Sequence, residues 1–390
     1  EGVETTICLP KTAWPPTSAV APAAATTAPA VAPRDAALAR VLQAALDSSR
    51  AAQRLPGLSL ALALPDGRTL ALTSGHADTA RRVPLRPTDR LLQGSVGKTY
   101  VAAVAMQLVA HDSLDLDAPV ARYLGHLPWW PRVPNARDVT VRQLMTHTSG
   151  LVRYEFDPRA TAVLRAQPMK TWTPEERLSY LLDKAPPFAA GQGWDYSDTN
   201  YIVLGMILER ITGTPYDSLL RTRLLGPLGL AGTVPADRPD VPAIANGYAG
   251  ADNELGGYDA SLDARGHLLV NPQFEWTGGG VASTTADLAR WGKLLYEGRA
   301  FDAALLPRVL DGVPARLGRD VRYGLGVMLR PTALGVTWGH SGFFPGYATE
   351  LLYFPELKIA VAVQANSTAP YPRGLVPLAV AAARAASQAP

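Results

Sequence analysis

Leucine and alanine recur at helical spacing from Ala36 to Ala52, after which the pattern changes period. Gly57 to Leu64 alternates as a strand, and Pro65-Asp66-Gly67 turns it back toward a second strand over Thr69 to Thr73. Thr99 to Val109 is dominated by apolar residues and reads as a buried helix. Between about Asp115 and Pro272 the signals are mostly helices and loops. Thr173-Pro174-Glu175-Glu176 is a capping box with proline at the first helical position, and Asn200 to Ile211 and Tyr216 to Leu225 follow as helices. From Phe274 the character changes again. Ser283-Thr284-Thr285-Ala286-Asp287 starts a helix through Leu288 to Tyr296. Arg322 to Arg330, Gly335 to Gly339, Thr349 to Phe354 and Lys358 to Ala365 then read as strands with short connections, which implies antiparallel pairing. An Ala-rich helix follows from Leu375 to Ala386.

This order predicts an α+β fold, an antiparallel sheet flanked by helices with a mainly helical lobe inserted into it. The sheet lobe takes in about 35–100 and 273–390, the helical lobe about 101–272, and residues 1–34 stand apart. From Ala13 to Pro33 that first segment is a tract of Ala, Pro, Thr and Val, too rich in proline for a helix. It reads either as a tether left after removal of an export signal, which makes the protein periplasmic or secreted, or as a remnant of trimming or cloning.

Composition narrows the function. The 390 residues are 47% apolar, ample for a buried core. A formal charge of +3, from 37 basic and 34 acidic residues with no basic block, leaves no electrostatic footprint for nucleic acid. Cys8 is the only cysteine, which excludes an intramolecular disulfide and a Cys-rich zinc site. His76, His111, His126 and His267 lack metal-ligand spacing, so no metal or other cofactor is expected. The best apolar run, Val101 to Ala110, falls short of the roughly 18 residues of a membrane span. The expected partner is a small-molecule or peptide substrate; composition leaves the oligomeric state open.

The candidate chemistry begins at Ser95-Val96-Gly97-Lys98. Positions three apart share a helix face, so the Lys98 nitrogen can reach the Ser95 oxygen and set a base beside a nucleophile. The following apolar run would give Ser95 a partly positive helix N-terminus. A phosphate loop is excluded because Leu92 stands where its first glycine belongs, and no Gly-x-Ser-x-Gly elbow occurs.

Four further segments follow in order: Leu144-Met145-Thr146-His147-Thr148-Ser149-Gly150-Leu151, Trp194-Asp195-Tyr196-Ser197-Asp198-Thr199-Asn200-Tyr201, Trp276-Thr277-Gly278-Gly279-Gly280 and His340-Ser341-Gly342. With them the chain, from about Ala36 onward, resembles the class C β-lactamase and penicillin-binding serine hydrolase superfamily. That superfamily includes D,D-peptidases, D-aminopeptidases and some carboxylesterases. The resemblance implies Ser95 as nucleophile, Lys98 as its activator and Tyr196 as partner in proton transfer, through an acyl-enzyme that water hydrolyses. It implies the backbone N–H groups of Ser95 and Phe343 as oxyanion donors, with Asp198, His340, Ser341 and Gly342 binding substrate or supporting the site. The implied activity is cleavage of an amide or ester, foremost in peptides containing D-amino acids. A carboxylesterase or weak β-lactamase is the enzymatic alternative, and a catalytically silent penicillin-binding or assembly module is the rival of another class.

Two positions depart from the family pattern. Asp198 stands where the best-studied members carry Asn, and a carboxylate there makes a neutral lysine harder to sustain; Lys98 is therefore expected to rest as a cation paired with Asp198, with Tyr196 taking the larger part in proton transfer. His340 stands where true β-lactamases usually carry Lys, which favours a peptidase or esterase. His147 reads as structural, and the Trp129-Trp130 and Phe343-Phe344 pairs read as packing before pocket wall.

Overall fold

The computed structural model of the protein describes residues 35–253 and 258–389. The segment 1–34, with Cys8 and the expected tether, lies outside the described residues. Among the described residues twelve strands form in chain order. The first six are β1 Gly57–Ala63, β2 Thr69–Asp78, β3 Val83–Pro84, β4 Leu91–Leu92, β5 Thr233–Pro235 and β6 Val281–Ser283. The rest are β7 Val313–Pro314, β8 Arg322–Tyr323, β9 Met328–Thr332, β10 Gly335–Phe344, β11 Tyr347–Phe354 and β12 Ile359–Ala365. Nine of them build one sheet in the order β3-β2-β1-β12-β11-β10-β9-β8-β7, and β4-β6-β5 make a small second sheet.

All paired strands of the large sheet run antiparallel, and β1 pairs with β12, Leu60 lying opposite Val363. The opening hairpin thus zips onto the last strand, and the mainly helical middle is an insertion between the two halves. Helices cover both faces, and the alternation along β1 and β12 sorts side chains by size. Leu58, Leu60, Leu62, Val361 and Val363 meet the helices Ala36–Ala52 and Leu375–Gln388. Ala61, Ala63, Ala360 and Ala362 face the other way, toward the helix Thr285–Tyr296 and its Trp291. Small residues let that helix sit close: a Cβ on Gly292 would stand 2.7 Å from Leu351 Cδ1. Burying each large aliphatic side chain contributes roughly 2 kcal/mol, so the leucine face anchors the two helices to the sheet.

Thr173 caps the helix Pro174–Ser179 with both capping-box bonds in place. Three predicted elements differ in detail. The strand expected over Arg322 to Arg330 is two, β8 and β9, because Gly324 to Val327 turns between them. The helix expected over Tyr216 to Leu225 is α-helical to Leu219 and widens to a π-helix from Leu220. Strand β10 does not stop at Gly339 but runs on to Phe344, so His340-Ser341-Gly342 lies within a strand rather than between two. Pairing with β9 ends at Gly339, whereas pairing with β11 continues to Phe344. Among the described residues, His340 to Phe344 therefore has a strand neighbour on one side only.

Candidate active site

Ser95 sits in a 3₁₀ turn, Gly94–Gly97, that runs straight into the helix Lys98–Ala110. Every residue from Lys98 to Leu108 is buried, so the helix that follows anchors the turn in the core. Three glycines admit contacts that no side chain permits. A Cβ on Gly94, whose φ is +53°, would stand 2.4 Å from the Phe343 carbonyl oxygen. One on Gly342 would stand 1.8 Å from the Gln93 carbonyl oxygen, and one on Gly97 2.8 Å from the Gly279 backbone. Main chain against main chain, the Ser95 turn is wedged between β10 and the Gly278–Gly280 loop.

Lys98 Nζ donates to Ser95 Oγ at 2.9 Å, to Asp198 Oδ1 at 2.5 Å and to the Gly278 carbonyl oxygen at 2.5 Å. Three acceptors match the three hydrogens of an ammonium group. Its side chain is fully buried, which alone would lower its pKa; the Asp198 carboxylate more than offsets this and holds Lys98 well above the usual lysine range. Asp198 opens the helix Asp198–Thr212, a position where a carboxylate suits the helix dipole. An ammonium with every hydrogen engaged has no lone pair to offer as a base.

The Tyr196 ring centroid lies 5.0 Å from Lys98 Nζ. Its hydroxyl feels both Lys98 and Ser95 yet makes no well-formed hydrogen bond among the described residues. Burial, only partly offset by Lys98, pushes its pKa up to about 12. His147 packs on this ring at 4.2 Å between centroids. Its Nδ1 accepts from the Ser197 backbone N–H at 3.2 Å and from Asn200 Nδ2 at 2.9 Å, which puts its proton on Nε2. Burial and the Lys98 charge hold the His147 pKa well below the ordinary value, so the ring is a neutral platform for Tyr196.

His340 is buried behind the site. Its Nδ1 donates to the Ser341 carbonyl oxygen at 2.6 Å, and its Nε2 accepts from the Tyr323 hydroxyl at 2.8 Å. Burial and repulsion from Lys98 pull its pKa down to about 3. A cavity of about 580 Å³ opens over the turn, and Ser95, Tyr196, Asp198, Ser341, Gly342 and Phe343 all line it. His340 does not; it supports the strand and presents no charge to a ligand. Phe156, Phe274, Leu317 and Tyr371 add apolar wall. Of the aromatic pairs, Phe343 lines the cavity, Phe344 packs against Phe274 and Tyr347, and Trp130 is core, donating to the Ala136 carbonyl oxygen.

Two carboxylates at the cavity were not among the sequence candidates. Glu155 accepts from Arg153 at 2.8 Å, and burial with repulsion from Asp198 raises its pKa to about 7. Glu275 is raised to about 8 for the same two reasons. One carboxylate oxygen of each is buried without a hydrogen-bond partner among the described residues. Their only sequence signal is position, Glu155 four residues after Leu151 and Glu275 directly before Trp276, each beside a motif that carries the chemistry. Among the described residues no group of His, Cys, Asp and Glu is arranged to hold a metal ion, and no helix is long and apolar enough to cross a membrane.

Comparison with known proteins places this geometry. The family model described as Beta-lactamase matches residues 38–385. Penicillin-binding protein 4* of Bacillus subtilis (strain 168) is 27% identical over 299 residues, 72% of this chain and 61% of that protein. A D-aminopeptidase of Cereibacter sphaeroides (strain KD131 / KCTC 12085) is 26% identical over 335 residues, 84% of this chain and 60% of its own length. The chain thus spans about three fifths of these curated relatives. Among solved structures, the D-amino acid amidase from Ochrobactrum anthropi SV3, complexed with L-phenylalanine amide, superposes with a TM-score of 0.75 at 28% identity, covering 90% of this chain and 98% of that one. A family match across nearly all the described residues, together with a shared fold, assigns the chain to the β-lactamase family.

Proposed function

We propose that the protein is a serine hydrolase that opens an amide or ester bond through a Ser95 acyl-enzyme, with amides and peptides of D-amino acids as its substrate class. The observation that carries this reading is the contact of Lys98 with Ser95 Oγ at 2.9 Å inside a cavity that Tyr196 also lines. The D-amino acid preference rests on likeness to proteins whose names state it.

Charge states at rest set the order of events. Lys98 is a cation and Tyr196 a neutral phenol, so Ser95 has no ready base at neutral pH. Ionising a phenol of pKa about 12 at pH 7 costs about 7 kcal/mol, against a barrier of roughly 16 kcal/mol for a turnover near ten per second. Deprotonating Lys98 is unfavourable as well, because the adjacent Asp198 carboxylate raises its pKa against the lowering effect of burial. With every Lys98 hydrogen engaged, Tyr196, once its own proton has passed to solvent, is the group that takes the Ser95 proton, beside a Lys98 ammonium that stabilises the phenolate. Ser95 Oγ attacks the carbonyl carbon while the backbone N–H groups of Ser95 and Phe343 receive the developing oxyanion. The carbonyl–heteroatom bond breaks, Tyr196 returns the proton to the departing amine or alcohol, and water releases the acid by the reverse sequence.

The apolar wall from Phe156, Phe274, Leu317 and Tyr371 favours esters of apolar acids as a second substrate class. A panel pairing D-aminoacyl amides and peptides with simple esters separates the two. The shared premise is tested by a fluorophosphonate probe with Ser95→Ala as control: the wild-type chain takes the label and the variant does not. Equal labelling of both, or none on either, would overturn the reading.

A further inference from the structure

Beside Ser341 the large sheet carries a closed ring of three polar side chains on three adjacent strands: Arg330 on β9, Ser341 on β10 and Glu350 on β11. Ser341 and Glu350 are register partners. Arg330 donates to Glu350 Oε2 at 3.0 Å and to Ser341 Oγ at 2.8 Å, and Ser341 Oγ donates to Glu350 Oε2 at 2.9 Å. The Arg330 and Glu350 side chains are only 17% and 13% exposed. Ser341 meanwhile lines the same cavity as Ser95, and it lies on the stretch of β10 that has no strand partner on one side among the described residues.

A guanidinium and a hydroxyl set side by side at a half-paired strand form an anion seat, because they offer converging donors to the two oxygens of a carboxylate. Here one carboxylate is already there, and it belongs to the protein. We propose that Glu350 keeps the Arg330–Ser341 seat filled from within, so that the enzyme disfavours substrates carrying a carboxylate on the leaving-group side and accepts neutral amides and esters. The proposal rests on the Ser95 acylation reading and adds a specificity determinant to it. An incoming carboxylate must displace one that is tethered, largely shielded from solvent and bonded to both donors, and until it does so it meets the negative charge of Glu350.

The test uses two acyl donors that differ only in the leaving group, N-acetyl-D-alanyl thioglycolate and its methyl ester. The measured quantity is the ratio of kcat/KM for the free carboxylate to that for the ester. Glu350→Gln empties the seat of charge and is expected to raise this ratio at least fivefold, with Glu350→Ser as a second variant under the same expectation. Arg330→Gln combined with Glu350→Gln removes the cation and is expected to return the ratio to within twofold of wild type. A rise below fivefold in folded Glu350 variants, checked by thermal melting, overturns the proposal, as does a double variant that keeps the gain. Fluorophosphonate labelling of the same proteins separates the two layers. No label on wild-type Ser95 defeats the acylation reading, whereas label with an unmoved ratio defeats only the filled seat.

Discussion

Two ion pairs whose side chains are at most 17% exposed lie close to one cavity and do different things. Lys98–Asp198 sits at the reacting centre, and Arg330–Glu350 sits beside Ser341 on the sheet. Each pairs a cation with a carboxylate, the first across 100 residues of sequence and the second across 20. The cations differ in kind: lysine is a compact ammonium whose proton inventory depends on its partners, while arginine keeps its charge under any condition a protein survives. The first pair can therefore set the protonation of its neighbours Ser95 and Tyr196, and the second can only be filled or vacant. Burial alone does not make an ion pair catalytic; contact with a nucleophile does.

Removing each cation in turn separates the two pairs most widely. Lys98→Met is expected to lower Ser95 acylation by fluorophosphonate at least a thousandfold and to destabilise the fold by about 3 kcal/mol, because Asp198 is left without its partner. Measured labelling rates within tenfold of wild type would make the two pairs equivalent and end the distinction. Arg330→Met leaves Glu350 buried and unpaired, so a similar loss of about 3 kcal/mol is expected in chemical denaturation at pH 8, where the carboxylate is most costly. A loss below about 1 kcal/mol there would mean that the pair contributes no more than an exposed salt bridge.

A finer test replaces one anion. Asp198 raises the pKa of both Lys98 and Tyr196, so Asp198→Asn lowers both. The acidic limb of the kcat/KM profile is expected to move to lower pH, and a limb that stays in place defeats the assignment of that limb to these groups. The smallest effect is expected at Glu275, a carboxyl group lining the cavity. Burial raises its pKa from 4.5 in the unfolded reference to about 8, so the native state binds the extra proton. Its contribution to stability is accordingly fullest below pH 4.5 and is lost as pH climbs toward and past 8. Glu275→Gln removes that dependence: its melting temperature relative to wild type is expected to rise steadily between pH 5 and pH 9, and a flat difference would show that the carboxylate is not charged against its surroundings.

Legibility in the sequence followed the range of the interactions involved. Helical spacing from Ser95 to Lys98 and the alternation of Gly57 to Ala63 are local patterns, and both translate directly into the observed turn and strand. The extension of β10 through His340 to Phe344 was hidden because glycine and serine carry weak strand propensity, while register with β11 supplies what the sequence lacks. Glu155, Glu275 and the Arg330–Ser341–Glu350 ring were hidden for a different reason. Each depends on which segments the topology brings side by side, and no spacing along the chain encodes that. His340 shows the converse: its motif position is plain, but only the fold shows it turned to Tyr323 and away from the cavity.

The glycine contacts at Gly94, Gly97 and Gly342 carry a consequence for how such a chain changes over generations. The reacting centre is held by backbone packed on backbone, so its geometry is insulated from the side chains that line the rest of the cavity. Phe156, Leu317 and Tyr371 can drift, and with them the acids and amines that fit, while Ser95 stays in place. Substitution at any of the three glycines offers no such freedom, since even a methyl group collides with main chain. Diversity of substrate and constancy of chemistry are thus assigned to separate parts of one pocket.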